Sequence, residues 1–228
     1  MKPLVLFDID KTLSSSSDAH RHAFQAALRD VHGIDLTIDE IRKVKTSGMT
    51  EPAIERMMLL SHGKKPSPEG SKEYEKVMGR RLGELIKDDP FALMPGVQGL
   101  FSDLERKGAV LGLATGNFEA SAWHKMKRLG IDHFFSLGGF GSDHEDRAEL
   151  VRVAIRRGKK KSPEIDRVVV IGDTPLDIAA AKGAGALSIG VASGHYSQEE
   201  LLKAGADLVI ESLEEKEKIL RFIFSLSS

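Results

Sequence analysis

Residues 2–12 read Lys2-Pro3-Leu4-Val5-Leu6-Phe7-Asp8-Ile9-Asp10-Lys11-Thr12, an apolar run of strand composition that ends in two aspartates. In a parallel α/β sheet, the residues just past the carboxyl end of a strand face the ligand crevice. Two carboxylates at that place repel each other, so the pair makes sense when a cation lies between them. The stretch therefore predicts a strand of a parallel sheet and a site at its carboxyl end.

A second apolar run, residues 167–172, ends in Asp173-Thr174-Pro175-Leu176-Asp177. A single Asp-x-Asp is equally compatible with turn capping, because aspartate favours turns. Two strand ends that each carry a pair of aspartates instead indicate one site for a hard cation. Mg²⁺ prefers oxygen ligands and typically combines one or two carboxylates with a substrate phosphate. The predicted metal-ligating residues are Asp8, Asp10, Asp173 and Asp177.

From residue 95 onward, apolar runs alternate with helical stretches. The predicted strands are 109–115, 134–137, 168–172, 186–192 and 208–210, and the predicted helices are 97–107, 118–129, 147–157, 175–182, 197–203 and 213–224. Alternation on this scale predicts a parallel sheet with helices on both faces. The glycine cluster at 138–141 lacks the spacing of a dinucleotide-binding loop and is predicted to be a turn.

Residues 14–94 lack this alternation. Helical spacing marks 18–32, Thr37-x-x-Glu40 has the pattern of a capping box, and further helices are predicted at 53–60 and 71–86. We therefore expect a catalytic core formed by residues 1–13 and 95–228, interrupted by a helical insertion at 14–94. The serine run at 14–17 and Pro95-Gly96 are the expected hinges.

An anionic substrate can approach clustered aspartates only with a basic side chain nearby. Arg147, at the start of a predicted helix, is the preferred candidate over the lysine run at 159–161, because such a run after a helix is usually solvated. The sequence Thr115-Gly116-Asn117 closes another strand and opens a helix. A hydroxyl group together with backbone N–H groups at a helix N-terminus predicts an anion site there.

Composition excludes several classes of protein. The 228 residues contain no cysteine, so disulfides, thiolate metal sites and cysteine nucleophiles are absent. A net charge of −1 gives no bias towards nucleic acid or anionic membranes. No apolar run is long enough to span a bilayer, and the N-terminus has no signal-peptide pattern. We expect a cytoplasmic protein, monomeric or homodimeric, with a small phosphorylated metabolite as its partner.

The ordered set of Asp8-Ile9-Asp10-Lys11-Thr12, Thr115, Arg147 and Gly172-Asp173-x-x-x-Asp177 resembles the four motifs of the haloacid dehalogenase-like hydrolase superfamily, over about two-thirds of the chain. The insertion resembles the C1-type cap of phosphoglycolate phosphatase-like members. The resemblance implies a Rossmann-like three-layer α/β/α core.

The resemblance also implies a role for each motif residue. Asp8 would be the nucleophile that forms an aspartyl-phosphate, and Asp10 the general acid and base. Thr115 would bind the phosphoryl group, and Arg147 would take the place of the usual lysine. Asp173 would ligate Mg²⁺ beside Asp8 and the Asp10 backbone carbonyl group. Asp177 would be a further ligand or would contact the ligands without touching the cation.

Two further regions are expected to contact substrate. In C1-capped relatives a glycine-containing cap loop faces the active site, which here corresponds to Thr46, Ser47, Gly48 and Met49. Lys11 stands where family members commonly have glycine, which makes the first loop stiffer and more positive. We assign Lys11, Gly116 and Asn117 to the substrate-binding residues along with Thr115.

These observations favour a Mg²⁺-dependent phosphatase that hydrolyses a small phosphomonoester. The nearest alternative is a phosphotransferase such as a β-phosphoglucomutase-like sugar phosphomutase, in which a second substrate hydroxyl replaces water. An alternative of another class is a phospho-accepting signalling module, since receiver domains also combine aspartates, threonine and magnesium. The helical insertion and the chain length argue against that module.

Overall fold

The computed structural model describes residues 2–225 and contains a six-stranded sheet, all of whose neighbouring strands run parallel. The strands are β1 (Pro3–Phe7), β2 (Val110–Ala114), β3 (Gly138–Gly139), β4 (Arg167–Gly172), β5 (Leu187–Val191) and β6 (Leu208–Ile210). Their order is β3-β2-β1-β4-β5-β6, so the chain winds outward from β1 in both directions. The predicted Rossmann-like α/β fold is confirmed.

Ten α-helices lie between and after these strands within the described residues. They are α1 (Asp18–His32), α2 (Ile38–Lys43), α3 (Glu51–Ser61), α4 (Pro68–Leu85), α5 (Val97–Arg106), α6 (Glu119–Arg128), α7 (Arg147–Lys161), α8 (Pro175–Gly183), α9 (Gln198–Lys203) and α10 (Lys216–Phe224). In the part of the chain from residue 2 to residue 225, none of the helices combines the length and apolar character needed to cross a bilayer.

The three layers follow from the alternation of side chains along β1. Val5 and Phe7 belong to one apolar cluster with α5 and α10, whereas Leu4 and Leu6 belong to another with α7 and α8. Successive residues of a strand point to opposite faces, so a strand that is apolar throughout requires helices on both sides. All five residues of β1 are buried. The central strand thus lies inside an α/β/α sandwich.

The predicted strand at 134–137 and the predicted turn at 138–141 are both wrong. Residues 132–134 form a short 3₁₀ helix, and Gly138 and Gly139 form strand β3, paired with Leu113 and Ala114 of β2. A Cβ on Gly139 would lie 1.9 Å from the carbonyl oxygen of Leu150. Glycine is therefore needed in this strand because helix α7 packs directly against its backbone.

Helices α1, α3 and α4 form a separate apolar cluster around Phe24, Tyr74 and Met78. The capping box predicted at Thr37 and Glu40 begins α2. Two crossing segments join this helical region to the sheet, and they run side by side: the Met94 N–H donates to Leu13 and the Ser15 N–H donates to Ala92. The chain therefore passes between the helical region and the sheet through two segments that are hydrogen-bonded to each other.

Candidate active site

The candidate site lies at the carboxyl ends of β1, β2 and β4, which are neighbours in the sheet. The strand order reverses between β1 and β4, and such a switch point opens the crevice in which α/β proteins bind ligands. A cavity of about 690 Å³ occupies this place, walled on one side by the strand ends and on the other by α1 and the segment from Ile41 to Met49.

Three of the predicted metal ligands meet at the cavity, where Asp8 and Asp173 line it and Asp177 lies behind them. Oxygen atoms of Asp8, Asp173 and Asp177 lie within 4.8 Å of one another, and each residue is at most 7% exposed. Burial and the neighbouring Asp177 raise the pKa of Asp8 to about 7. Burial and Asp8 likewise raise the pKa of Asp173 to about 8. Three crowded carboxylates, of which Asp8 and Asp173 have raised pKa values, form a donor set that fits a hard divalent cation.

Arg147, predicted as the basic partner, reaches this cluster from the first turn of α7. Its Nη2 donates to an oxygen of Asp177 and lies 3.5 Å from Oδ1 of Asp8, while its Nη1 donates to the Gly48 carbonyl oxygen at 2.9 Å. Burial would lower the pKa of the guanidinium, but Asp177 and Asp8 raise it above its ordinary value. The side chain thus remains charged and joins the acidic cluster to the segment above the cavity.

Asp10 lines the cavity, but its carboxylate lies outside the cluster of three. Lys125 Nζ donates to both of its oxygens, at 2.8 and 2.7 Å, and Asn117 Nδ2 donates to one of them at 2.9 Å. Partial burial opposes ionisation, but Lys125, His20 and the hydrogen bonds lower the pKa of Asp10 to about 2. The pKa of Asp8 is therefore raised and that of Asp10 is lowered, although only one residue separates them.

Lys125 was missed in the sequence, although a signal existed. The buried residues of α6 are Ser121, Ala122, Lys125 and Met126, so the lysine lies on the apolar face of the helix. A lysine is almost never fully buried unless it is paired. Its position on that face could have indicated a buried acidic partner, but not which acid.

The loop of Thr115, Gly116 and Asn117 differs from the expected anion site. Gly116 and Asn117 line the cavity, whereas the fully buried Thr115 hydroxyl accepts from the backbone N–H and Nδ2 of Asn117. The next two N–H groups, of Phe118 and Glu119, donate to Glu51 and Ser142. Protein acceptors therefore occupy the N–H groups of Phe118 and Glu119, and the expected anion contact of Thr115 and Gly116 stays a prediction.

The predicted substrate loop, Thr46 to Met49, lines the cavity in full, and so does Lys11. Gly48 has φ 76° and Lys11 has φ 66°; Lys11 is the non-glycine residue with positive φ among residues 2–225. The left-handed backbone at Lys11 explains why a glycine would suit position 11. The loop is docked on the core, because the Glu51 N–H donates to Gly116 at 2.8 Å and the Thr50 hydroxyl to the Glu145 carbonyl at 2.9 Å.

Comparisons with known proteins agree with this geometry. The model of the family described as haloacid dehalogenase-like hydrolase matches residues 2–185. A protein of Dickeya dadantii (strain 3937) named Probable phosphatase IndB is 26% identical over 100% of this chain and 97% of its own length. The phosphoglycolate phosphatase of Agrobacterium fabrum (strain C58 / ATCC 33970) is 24% identical over 92% of this chain and 89% of its own.

A solved structure of similar fold is that of a mutant of CbbY from Rhodobacter sphaeroides in complex with xylulose-(1,5)bisphosphate. It has a TM-score of 0.73 and 25% identity, and the match covers 94% of this chain and 96% of that one.

Proposed function

This chain belongs to the haloacid dehalogenase-like hydrolases and is a phosphohydrolase, and we propose that it hydrolyses a small phosphomonoester through an aspartyl-phosphate on Asp8. The observation that supports this most directly is the meeting of Asp8, Asp173 and Asp177 with Arg147 at one cavity, which Asp8, Asp173 and Arg147 line. Asp8, Asp173, Asp177 and the Asp10 backbone carbonyl group would hold Mg²⁺. The cation would neutralise the carboxylates and the phosphoryl oxygens.

The protein side chains divide the chemistry between them. A carboxylate oxygen of Asp8 attacks phosphorus, the bond to the leaving oxygen breaks, and that oxygen takes a proton from Asp10. Water then attacks phosphorus, gives its proton to Asp10 and releases Asp8. The bound phosphate monoester is itself anionic and raises the pKa of Asp10, which supplies the protonated form for the first step. Arg147 stabilises charge on the phosphoryl oxygens.

We propose further that residues 14–94 act as a cap and that the substrate carries a second anionic group. The wall opposite the acidic cluster contains Lys43 and Lys45, and Lys11 lies at its edge. None of the three forms a salt bridge among residues 2–225, although the hydrogen bonds from Thr37 and, less strongly, the nearby charge of Lys43 lower the pKa of the Glu40 carboxyl group. Arg21 in the same wall is paired with Asp18. Phosphoglycolate and xylulose-(1,5)bisphosphate, which appear in the names given above, each carry such a second group.

The proposed function is tested by trapping the intermediate. After rapid quench of the enzyme with Mg²⁺ and a phosphomonoester that carries a carboxylate, peptide mass spectrometry should find a phosphoryl group on Asp8. EDTA should abolish turnover, and added Mg²⁺ should restore it. The Asp8→Asn variant should show no covalent phosphate, whereas Asp10→Asn should fold and turn over far more slowly.

Full activity after exhaustive chelation, or a phosphoryl group on Asp10, would contradict the mechanism. Analysis of products on sugar phosphates separates hydrolysis from phosphoryl transfer to a second hydroxyl group. Inorganic phosphate as the sole phosphorylated product is the expected result.

A further inference from the structure

Lys125 is fully buried, and its ammonium group is surrounded by two side chains of the candidate site. Its Nζ donates to both oxygens of Asp10 and, at 2.7 Å, to Oδ1 of Asn117. Asn117 in turn donates from Nδ2 to Asp10 and, at 3.1 Å, to the hydroxyl oxygen of Thr115. The four side chains form one hydrogen-bonded network that begins on helix α6 and ends on the carboxylate in the cavity.

Lys125 does not line the cavity, so it does not reach the substrate itself. A buried ammonium group carries a desolvation cost of several kcal/mol, and replacing a whole buried ion pair by apolar side chains of similar size is often neutral or stabilising. Stability of helix α6 is therefore a poor reason for a lysine among Ala122 and Met126. Lys125 instead acts on Asp10, because its ammonium group donates to both oxygens of that carboxylate.

Asp10 needs such a partner because the turn that holds its backbone leaves its side chain partly exposed. It lies beyond the end of β1, its side chain is partly exposed, and the next residue, Lys11, turns the backbone into the left-handed region. Hydrogen bonds from Lys125 to both oxygens of the carboxylate and from Asn117 to one of them limit its rotation about χ1 and χ2. A general acid must be within hydrogen-bond reach of the leaving oxygen, so a loss of orientation lowers the rate of proton transfer.

We propose that Lys125 is the positioning residue of this enzyme's general acid and base: through its contacts with both oxygens of Asp10, supported by Asn117, it holds that carboxylate towards the reacting phosphoryl group. The inference rests on the proposed function. It adds a residue from helix α6 that stands outside the four motifs and takes no part in covalent chemistry.

The test compares Lys125→Met with Lys127→Met, a matched change of an exposed lysine on the same helix. Turnover is measured with 4-nitrophenyl phosphate, whose leaving group needs little protonation, and with alkyl phosphates, which depend on the acid. Lys125→Met should lose about 10²-fold in kcat for alkyl phosphates and much less for 4-nitrophenyl phosphate. Its melting temperature should stay near that of the wild type, and Lys127→Met should behave as the wild type.

A double-mutant cycle completes the test. If Lys125 acts through Asp10, then Lys125→Met should cause no further loss of kcat for alkyl phosphates in the Asp10→Asn background. Equal losses for both leaving groups, or a full additional loss in that background, would overturn the inference and would indicate a structural role. A wild-type enzyme that turns over none of these esters would instead contradict the proposed phosphatase function.

Discussion

At the scale of single residues, Arg147 connects the most parts of the candidate site. Its two terminal nitrogens contact Asp8, Asp177 and the carbonyl oxygen of Gly48. A lysine has a single cationic nitrogen, whereas the planar guanidinium group can bond in two directions at once. The arginine therefore suits a position where a charge must balance buried carboxylates and also hold a neighbouring loop.

We predict that Arg147→Ala lowers kcat/KM by about 10²–10³-fold, because one electrostatic donor to the phosphoryl group is lost. Arg147→Lys should recover part of that loss, since it keeps the charge and loses the second hydrogen bond. Lys159→Ala is the control, because Lys159 is exposed in the last turn of the same helix. Steady-state kinetics with Mg²⁺ at saturation provide the measurement. A larger loss of kcat/KM in Lys159→Ala than in Arg147→Ala would show that Arg147 is not the basic residue that stabilises the phosphoryl group.

At the scale of elements, the start of helix α3 is docked against the start of helix α6. Glu51 donates its N–H to Gly116 and accepts the N–H of Phe118 on its carboxylate, at 2.7 Å. A negative side chain at a helix N-terminus is favourable, and here the two belong to different parts of the chain. A Cβ on Gly116 would lie 2.5 Å from the carbonyl oxygen of Met49. The contact depends on a glycine at this position.

We predict that Gly116→Ala displaces the loop of residues 46–50 and lowers kcat/KM by about 10²-fold, since misplacement by about 1 Å can have that effect. The core should still fold, because the overlap is with the loop of the helical region. Gly99→Ala is the matched control: Gly99 is exposed in helix α5 with no atom near its Cβ position.

Small-angle scattering with and without Mg²⁺ and a phosphate analogue should show a more open average shape for Gly116→Ala than for Gly99→Ala. Kinetics and scattering profiles equal to those of the control would contradict this account of the contact.

At the scale of the whole molecule, the acidic cluster couples metal binding, pH and stability. Without a cation, Asp8 and Asp173 have pKa values of about 7 and about 8 in the folded state against an ordinary value of 3.8. The folded protein therefore binds more protons than the unfolded chain between about pH 4 and pH 8. Stability falls as the pH rises wherever the folded state binds more protons. A bound cation favours the ionised carboxylates and opposes this loss.

We predict that the metal-free protein melts at a lower temperature at pH 8 than at pH 5, by roughly 4–8 °C if about 2 kcal/mol is lost. Mg²⁺ should raise the melting temperature more at pH 8 than at pH 5, because the cation competes with protons for the same carboxylates. Differential scanning calorimetry in the presence and absence of EDTA measures both effects. In Asp173→Asn the pH dependence should be smaller. A melting temperature that rises from pH 5 to pH 8 without metal would refute the assignment.

The sequence alone determined the order of the main elements and the place of the acidic residues. Strand β1 is apolar on both faces and ends abruptly at Asp8, and strand β4 ends in the same way at Asp173. These signals are local: a buried strand needs an uninterrupted apolar run, and a polar residue at its end marks the edge of the sheet. Parallel pairing predicts that Asp8 and Asp173 lie at the same edge of the sheet, whereas their contact also needs β1 and β4 to be neighbours and Asp177 to lie in the first turn of α8.

Only the tertiary structure decided which distant groups meet. Asp10 and Lys125 are 115 residues apart, and no local sequence pattern around either residue predicts their contact. Strand β3 consists of two glycines of low strand propensity, and it exists because β2 offers backbone partners and α7 approaches closely. The Phe118 N–H at the start of α6 donates to Glu51, which arrives from another helix. Such contacts depend on chain packing, whereas residue patterns report only local burial and periodicity.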